Sequence, residues 1–461
     1  MNVKYNKQTK MMEIEFQYRD VKEPNLFRNI YPYNDVPRLV FNHRIVPMNI
    51  PEKLYITDTT FRDGQQSRSP YTVEEISKLF DLLHELDNGS GIIKQSEFFL
   101  YSKTDREALY KCMEKGYDFP QITAWIRAKK EDFQLVKDMG IKETGILVSC
   151  SDYHIFKKLN MTRTEAMDQY LDIVSSALEA GVIPRCHFED ITRADFYGFV
   201  LPFVNKLMDL SKQANMPVKV RACDTLGLGV SIPGVVLPRS VPQIMYGLVN
   251  YGPVPSEWIE WHGHNDFYQA VTNATTAWLY GAANVNTSLL GIGERTGNTP
   301  LEAMVMEYTQ LRGDSGGMDL RVITEIAEYY EKELGYEIPP RTPFVGKDFN
   351  ATRAGIHADG ILKDEEIYNI FDTTQILGRP PKIIIDAFSG LAGIADWLNK
   401  HFGIKGDEAF DKKSEEVVKI KQWIDEEYAT GRTTSISDSE MEWLAGKHFP
   451  ELVGKTQGIE K

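Results

Sequence analysis

Two short segments, about two hundred residues apart, carry the residue types of a metal site. The first contains Arg62 and Asp63, which follow a short apolar run and precede a helical pattern. The second contains His262 and His264, two residues apart in a predicted strand, so both imidazoles point to the same face. A carboxylate and two imidazoles leave open coordination positions, and the arginine offers a fixed cation beside them. The segments together indicate a metal-dependent enzyme that acts on an oxygen-rich, anionic substrate.

Short β-rich runs alternate with longer helical patterns from residue 51 onward. The predicted strands cover residues 54–57, 92–97, 120–125, 144–149, 182–188, 217–223, 257–263 and 283–290. Eight such units in about 250 residues predict a (β/α)8 TIM barrel, although a doubly wound open sheet uses the same alternation. In a closed barrel the strand ends meet on one face, which would bring Asp63 to the two histidines. Either histidine alone could instead be a hydrogen-bonded core residue.

Polar residues gather at the C-terminal ends of all eight predicted strands, where barrel enzymes keep their active sites. Beyond the first segment and the histidines, they include Glu97, Arg127, His154, His187, Glu189, Thr225, Glu294 and Asn298. A metal that chelates a 2-oxoacid makes its carbonyl carbon electrophilic, and Arg62 could stabilise the oxyanion that develops. The residues alone therefore predict metal-assisted formation or cleavage of a carbon–carbon bond.

Composition narrows the class of partner. The 461 residues carry a formal net charge of -14, which argues against nucleic acid or an anionic membrane as a partner. Four widely spaced cysteines without a CxxC pair indicate a reducing compartment. No apolar run approaches the length of a membrane span, and the N-terminus lacks the build of a signal peptide. We therefore expect a cytoplasmic enzyme.

Five motifs of the predicted barrel resemble those of the 2-isopropylmalate/homocitrate synthase family. They are Asp58–Gln66, Glu189–Arg193, Asp224–Gly227, His262–Asp266 and Gly291–Asn298. The segment Ala354–Gly360 resembles the histidine motif that follows the barrel in this family. The resemblance covers residues 51–395. It implies that acetyl-CoA, as co-substrate, condenses with a 2-oxoacid and that the thioester is then hydrolysed.

The resemblance also implies a role for individual residues. The ligands of the divalent metal would be Asp63, His262 and His264, with Asn298 close to the ion. Arg62 would polarise the ketone of the oxoacid, and Glu189 and Thr225 would contact the oxoacid or the metal-bound waters. Glu294 and His357 would form an acid/base pair, Tyr368 would assist in the same chemistry, and Arg62 would stabilise the oxyanion. Mn²⁺ is the expected ion, with Mg²⁺, Co²⁺ or Zn²⁺ as alternatives.

The predicted organisation has four parts. Residues 1–50 read as an extended arm and residues 51–312 as the catalytic barrel. The family resemblance makes residues 313–395 a linker subdomain that contributes to the partner subunit's active site, which implies a homodimer with shared sites. Residues 396–461 form a helical C-terminal subdomain that is too short for a leucine-responsive regulatory domain.

Two departures from the family pattern bear on the oxoacid. Phe99 and the pair Phe267 and Tyr268 are bulkier than the family's usual residues, which implies a smaller pocket. Together with the arm and the Thr59–Ser67 and Ile122–Arg127 segments, they look most like the (Re)-citrate synthases of anaerobic bacteria, which use oxaloacetate. The second carboxylate would need a cation, for which Arg127 or Arg185 is available, and His154 is a further candidate contact.

Alternatives within the family remain open. They are homocitrate synthase, which uses 2-oxoglutarate, and 2-isopropylmalate or citramalate synthase. A lyase or carboxyltransferase on the same barrel is a more distant alternative. The histidine motif after the barrel argues against it, because condensing members use that segment for thioester chemistry.

Overall fold

The computed structural model describes residues 2–6 and 11–450. The chain divides into two compact units, Met1–Asp319 and Leu320–Lys461. The four-part division expected from the sequence is finer than these two units and stays a prediction. Residues 451–461, at the end of its last part, lie outside the described residues.

The first unit begins with an antiparallel hairpin of two strands, β1 (Asn2–Asn6) and β2 (Met11–Glu15). Eight parallel strands then close into a barrel, in which the last strand pairs with the first. They are β3 (Tyr55–Asp58), β4 (Ile93–Phe98), β5 (Gln121–Ile126), β6 (Glu143–Ser149), β7 (Ile183–Glu189), β8 (Lys219–Asp224), β9 (Ile259–Gly263) and β10 (Asn284–Thr287). The predicted TIM barrel is therefore confirmed, and the open sheet is wrong.

Helices cover the outside of the barrel. They are α1 (Val73–Asp87), α2 (Lys103–Glu114), α3 (Asp132–Asp138), α4 (Arg163–Glu179), α5 (Leu201–Ala214), α6 (Val241–Asn250), α7 (Ala270–Tyr280) and α8 (Leu301–Arg312). Three of them begin at capping boxes, for which Thr72, Ser102 and Thr162 provide the hydroxyls. Each hydroxyl satisfies a backbone N–H of the first turn, so the chain switches from loop to helix at a defined residue.

The eighth barrel strand ends earlier than the sequence predicts, at Thr287 instead of residue 290. Leu289–Gly291 forms a single 3-10 turn in which Leu290 has a φ of 55°. The turn directs the following loop, which carries Glu294 and Asn298, across the C-terminal end of the barrel.

The barrel interior holds a run of ion pairs, whereas most barrels fill this space with branched apolar side chains. Carboxylates and cations alternate along it, and every member is at least intermediate in burial. In order of contact the members are Lys219, Glu143, Arg185, Glu260, Arg221, Glu97, Arg62 and Asp63. We call this run the interior charge chain. Removing one partner of a buried pair costs about 3–5 kcal/mol, because the other charge is left uncompensated.

The second unit is mostly helical and has a core of its own. Its elements are α9 (Val322–Lys332), β11 (Ala351–Thr352), α10 (Gly355–Lys363), α11 (Thr373–Leu377), β12 (Lys382–Ile383), α12 (Leu391–His401), α13 (Glu415–Ala429) and α14 (Asp438–His448). Buried side chains of α10 and α12–α14, such as Ala358, Ile394, Ile420 and Leu444, form one cluster. No helix among the described residues is long and apolar enough to cross a membrane.

Candidate active site

Three predicted metal ligands converge at the C-terminal end of the barrel. Asp63 comes from the turn after β3, and His262 and His264 come from the end of β9. Each histidine Nε2 lies 3.9 Å from Asp63 Oδ2, and the two Nε2 atoms are 3.2 Å apart. All three side chains are buried. One carboxylate and two imidazoles facing a common point form a donor set that suits a divalent cation.

Asn286, on the neighbouring strand β10, orients one of these imidazoles. His262 Nδ1 donates to Asn286 Oδ1 at 2.8 Å. The amide nitrogen of Asn286 donates to Thr57 Oγ1 at 3.0 Å, which fixes the direction of the amide. The proton of His262 is therefore on Nδ1, and the lone pair of Nε2 faces Asp63 and His264. Such an outer partner is typical of histidines that bind metal.

The protonation states of the three groups also suit a cation. Burial lowers the pKa of both imidazoles, that of His264 to about 4. Burial alone would raise the pKa of Asp63, but the charges of Arg62 and of both histidines hold it below its usual range. At neutral pH the site thus presents two neutral imidazoles and one carboxylate, which are the forms that bind metal.

Asn298 supplies a further oxygen beside this triad. Its Nδ2 donates to Asp63 Oδ2 at 2.8 Å. Its Oδ1 is buried and has no hydrogen-bond partner in the part of the chain that the structure describes. Gly293 leaves room for this amide, since a Cβ there would lie 2.5 Å from Asn298 Oδ1. An orphaned carbonyl oxygen next to the triad is a ligand that hard divalent cations accept, so the site fits such an ion.

Arg62 is held rigidly next to the triad. Its Nη1 donates to Asp63 Oδ1 at 2.6 Å, and its Nε lies 3.5 Å from Glu97 Oε1. The guanidinium stacks over the ring of Trp125, 4.8 Å from the ring centre. A cation fixed in this way can stabilise negative charge on a substrate oxygen without first reorganising.

A cavity of about 230 Å³ opens onto the triad. It is lined by Arg62, Asp63, Gln66, Trp125, Leu147, His187, Glu189, Arg221, Cys223, Thr225, His262, His264 and Glu294. The cavity is small, and its lining is polar, with the guanidiniums of Arg62 and Arg221 beside the carboxylates of Asp63, Glu189 and Glu294. It therefore suits a small polar ligand better than a large apolar one.

Glu189, on the cavity wall, is held as a carboxylate by its neighbours. Lys158 Nζ lies 2.9 Å from both of its oxygens, and His154 Nδ1 lies 2.8 Å from one. Burial would raise the pKa of Glu189, but its contacts with His154, Ser149 and Lys158 outweigh burial and lower it to about 2. His154, which the sequence offered as a substrate contact, thus lies beside Glu189 and is not among the residues that line the cavity.

Thr225 lines the same cavity, at the end of β8. Its Oγ1 accepts the backbone N–H of Asp190 at 2.9 Å. The hydroxyl proton of Thr225 is therefore available to donate to a bound acid.

The two arginines that the sequence offers for a second carboxylate do not line the cavity. Arg127 has a side chain that is 53% exposed, and Asp132, at the start of α3, binds its Nε and Nη2 at 3.2 Å. Arg185 belongs to the interior charge chain, where it contacts Glu143 and Gln95. Both guanidiniums are occupied by partners within the fold.

The expectation that bulky residues after the histidines narrow the pocket is wrong for Tyr268. Its side chain is 89% exposed, and neither Phe267 nor Tyr268 lines the cavity. Phe99 packs edge-on against Trp125, with 5.6 Å between the ring centres. Phe99, just after β4, therefore contacts the cavity wall only from behind, through Trp125.

The three predicted acid/base residues fall into different units. Glu294 lies in the loop after β10, is exposed, and lines the cavity. His357 and Tyr368 lie in the second unit, where their ring centres are 4.3 Å apart and both side chains are exposed. His357 and Tyr368 thus lie side by side, whereas the acid/base pair that the resemblance implies, Glu294 with His357, stays a prediction.

Residues 53–329, more than half of the chain, match the model of the HMGL-like family. The chain belongs to the HMGL-like family.

Three curated relatives match this HMGL-like chain over nearly all of its length. Citrate (Re)-synthase of Clostridium kluyveri is 62% identical over 448 residues, which cover 97% of this chain and 99% of that protein. Citrate (Re)-synthase of Syntrophus aciditrophicus is 52% identical, with 97% of this chain and 72% of that protein covered. The 2-phosphinomethylmalate synthase of Streptomyces hygroscopicus is 36% identical, with 93% and 97% covered.

The pattern of strand ends did not predict several residues of the site, among them Trp125, Arg221 and Asn286. Trp125 and Arg221 lie in predicted strands, where alternation could have placed them on the interior face. Asn286 lies in the eighth strand beside the histidine strand, and the same alternation would have found it. Polar residues at strand ends predict only the rim of the site, and these residues lie deeper in the barrel.

Proposed function

We propose that this chain is a divalent-metal-dependent citrate synthase of the (Re) type. It condenses acetyl-CoA with oxaloacetate and hydrolyses the thioester, releasing citrate and CoA. The observation that carries the proposal is the convergence of Asp63, His262 and His264 with Arg62 on one small, polar cavity. The near-full-length identity to two proteins named Citrate (Re)-synthase supports the choice of oxoacid.

The metal ligands in this proposal are Asp63, His262 and His264, with Asn298 beside them. A divalent ion held there, Mn²⁺ in our proposal, supplies Lewis-acid polarisation of the 2-oxo group. Arg62 donates to the oxygen of that group, on which negative charge grows as the new carbon–carbon bond forms. Glu189 and Thr225, which line the same cavity, contact the oxoacid.

The proton transfers fall to Glu294, His357 and Tyr368. One of these groups removes a proton from the methyl carbon of acetyl-CoA, and that carbon forms a bond to the carbonyl carbon of the oxoacid. The former ketone oxygen takes up a proton and becomes a tertiary hydroxyl. Water then attacks the thioester, the C–S bond breaks, and CoA leaves as the thiol.

We further propose that the active enzyme is a homodimer in the cytoplasm. Residues 313–395 would form the linker subdomain that brings His357 to the barrel of the partner, and residues 396–461 the helical subdomain behind it. In support, apolar side chains next to the His357 motif face solvent in the single chain: Ile356 is 81% exposed and Ile370 65%. All four cysteines are buried and free, which suits a reducing compartment.

The first experiment measures release of free CoA thiol. Purified protein is supplied with Mn²⁺ and acetyl-CoA, and then with oxaloacetate or 2-oxoglutarate. We expect thiol release with oxaloacetate, and its loss when a chelator is added. Release with 2-oxoglutarate instead would identify a homocitrate synthase, and no release with any 2-oxoacid would contradict the proposal. A stereospecific citrate lyase, applied to citrate made from labelled acetyl-CoA, reads the face of addition.

A second experiment tests whether the sites are shared. Asp63→Asn disables the metal site, and His357→Ala disables the acid/base group. In a mixed dimer of these variants, one barrel is intact and faces an intact partner histidine. Activity should therefore return when the two inactive variants are refolded or co-expressed together. Continued inactivity of a verified mixed dimer would show that His357 acts within its own chain.

A further inference from the structure

Three hydrogen-bond donors on one wall of the cavity have no acceptor. They are Trp125 Nε1, His187 Nε2 and Arg221 Nη2. Each atom is buried and makes no hydrogen bond within the described residues, and all three residues line the cavity. We call these residues the donor wall. Buried polar atoms nearly always find a partner, so three orphaned donors at one cavity point to an acceptor that enters from outside.

The three donors lie close together. Gly145, on β6 between the strands of Trp125 and His187, marks the point where two of them meet. A Cβ there would lie 2.5 Å from His187 Nε2 and 3.0 Å from Trp125 Cδ1. Glu97 links the third, since its carboxylate lies 3.1 Å from Arg221 Nη1 and 3.5 Å from His187 Nε2.

The guanidinium of Arg221 gives the wall a cationic donor. Glu97, which contacts the wall at His187 and Arg221, does not line the cavity and is flanked by two guanidiniums, those of Arg62 and Arg221. Glu260, the other partner of Arg221, is shared with Arg185 deeper in the barrel. Burial and the nearby guanidiniums lower the pKa of His187, so it acts as a neutral N–H donor.

We propose that the donor wall binds the distal carboxylate of the 2-oxoacid, a role that rests on the proposed function. One end of the acid lies at the metal triad and Arg62, and its other carboxylate accepts from Trp125, His187 and Arg221. The imidazole proton of His187 is then on Nε2. An oxoacid that lacks this carboxylate leaves three buried donors unpaired, and sites of that kind reject such analogues strongly. The donor wall thus determines specificity for a dicarboxylic oxoacid.

The wall and the triad share a single cavity of about 230 Å³, which also limits the length of the acid. A four-carbon dicarboxylate spans it with both ends bound. The cavity therefore favours a four-carbon dicarboxylic oxoacid. A contact from Arg127, which is bound to Asp132, is not needed for this preference.

The test compares two substrates that differ only at the distal group. Oxaloacetate carries the carboxylate, and 2-oxobutyrate has a methyl group in its place. Trp125→Phe keeps the ring over Arg62 and removes the N–H, and His187→Leu removes the imidazole donor. In each variant we expect the ratio of kcat/KM for oxaloacetate to that for 2-oxobutyrate to fall by about 10- to 100-fold. Neither change removes a partner of a buried ion pair, unlike substitution of Arg221.

Two matched variants separate hydrogen bonding from packing. His187→Gln keeps an N–H donor near the position of Nε2, and its ratio should fall less than that of His187→Leu. Trp278→Phe removes another buried indole N–H without a partner, but from α7, outside the cavity. Its ratio should equal that of the wild type.

Binding supplies a readout that is independent of turnover. Calorimetry with malate and 2-hydroxybutyrate, stable analogues of the two oxoacids, should show the same loss of discrimination in Trp125→Phe. An unchanged ratio in both Trp125→Phe and His187→Leu, in protein that still makes citrate, would overturn the role of the donor wall. Wild-type protein that releases no CoA with oxaloacetate would refute the proposed function instead, and this inference with it.

Discussion

The replacement of Glu302 by glutamine should stabilise the protein at high pH and change little at low pH. Glu302 lies in the first turn of α8, is buried, and accepts the backbone N–H of Leu290 at 3.1 Å. Leu290 is the residue of positive φ that turns the chain into the loop of Glu294 and Asn298. Burial raises the pKa of Glu302 from an ordinary 4.5 to about 7.

The magnitude follows from the change in pKa. Because the folded pKa is raised, the folded state binds the proton more tightly than the unfolded state does. The stability that this proton contributes is fully present below about pH 4.5 and is lost as the pH rises through about 7. At about 1.36 kcal/mol per pKa unit, the loss reaches about 3 kcal/mol above pH 7. Glutamine keeps an oxygen that can accept from Leu290 and does not ionise.

The assay is equilibrium urea unfolding of the wild type and Glu302→Gln between pH 5 and pH 8. The free energy of unfolding of the variant, relative to the wild type, should rise by about 2–3 kcal/mol across this range. A constant offset from any change in packing does not affect this slope. If the difference in free energy of unfolding between the two proteins does not change with pH, the assignment of a raised pKa to Glu302 is refuted.

The remaining predictions concern the metal triad and the cavity wall. His264→Ala should abolish metal binding and turnover while circular dichroism stays that of the wild type; full activity in the presence of a chelator would remove the assignment. Asn286→Ala frees the imidazole of His262 and should weaken metal binding by about 10- to 100-fold in a calorimetric titration. Gly145→Ala places a Cβ 2.5 Å from His187 Nε2 and should lower the free energy of unfolding in urea by about 1–3 kcal/mol. An unchanged free energy of unfolding would contradict the close contact between Gly145 and His187.

The eight strands and the convergence of Asp63, His262 and His264 were predictable because they depend on local patterns. Strand periodicity puts His262 and His264 on one face whatever their surroundings, and barrel closure brings Asp63 to them. Strand periodicity alone does not predict the position of Arg127. It lies two residues beyond Trp125 and would share its inward face, but β5 ends at Ile126, and Asp132 pairs with the guanidinium.

Arg221 shows a second limit. Its strand and its interior face could be read from the sequence, yet an arginine inside a barrel is unusual. The buried charge of Arg221 is compensated by Glu97 on β4 and Glu260 on β9, which are far from Arg221 in sequence. Pairing across a barrel is decided by strand register, and the hydrophobic pattern does not specify which interior polar residues will meet.

The interior charge chain has a consequence for the order in which ligands bind. Its four carboxylates and four cations formally cancel, so the chain itself carries no formal net charge before any ligand enters. A divalent ion alone adds two positive charges to this poorly hydrated interior, and a dicarboxylate alone adds two negative ones. The pair together restores neutrality. Each ligand should therefore tighten the other's binding, by the same factor in both directions, and neither should accumulate in the barrel alone.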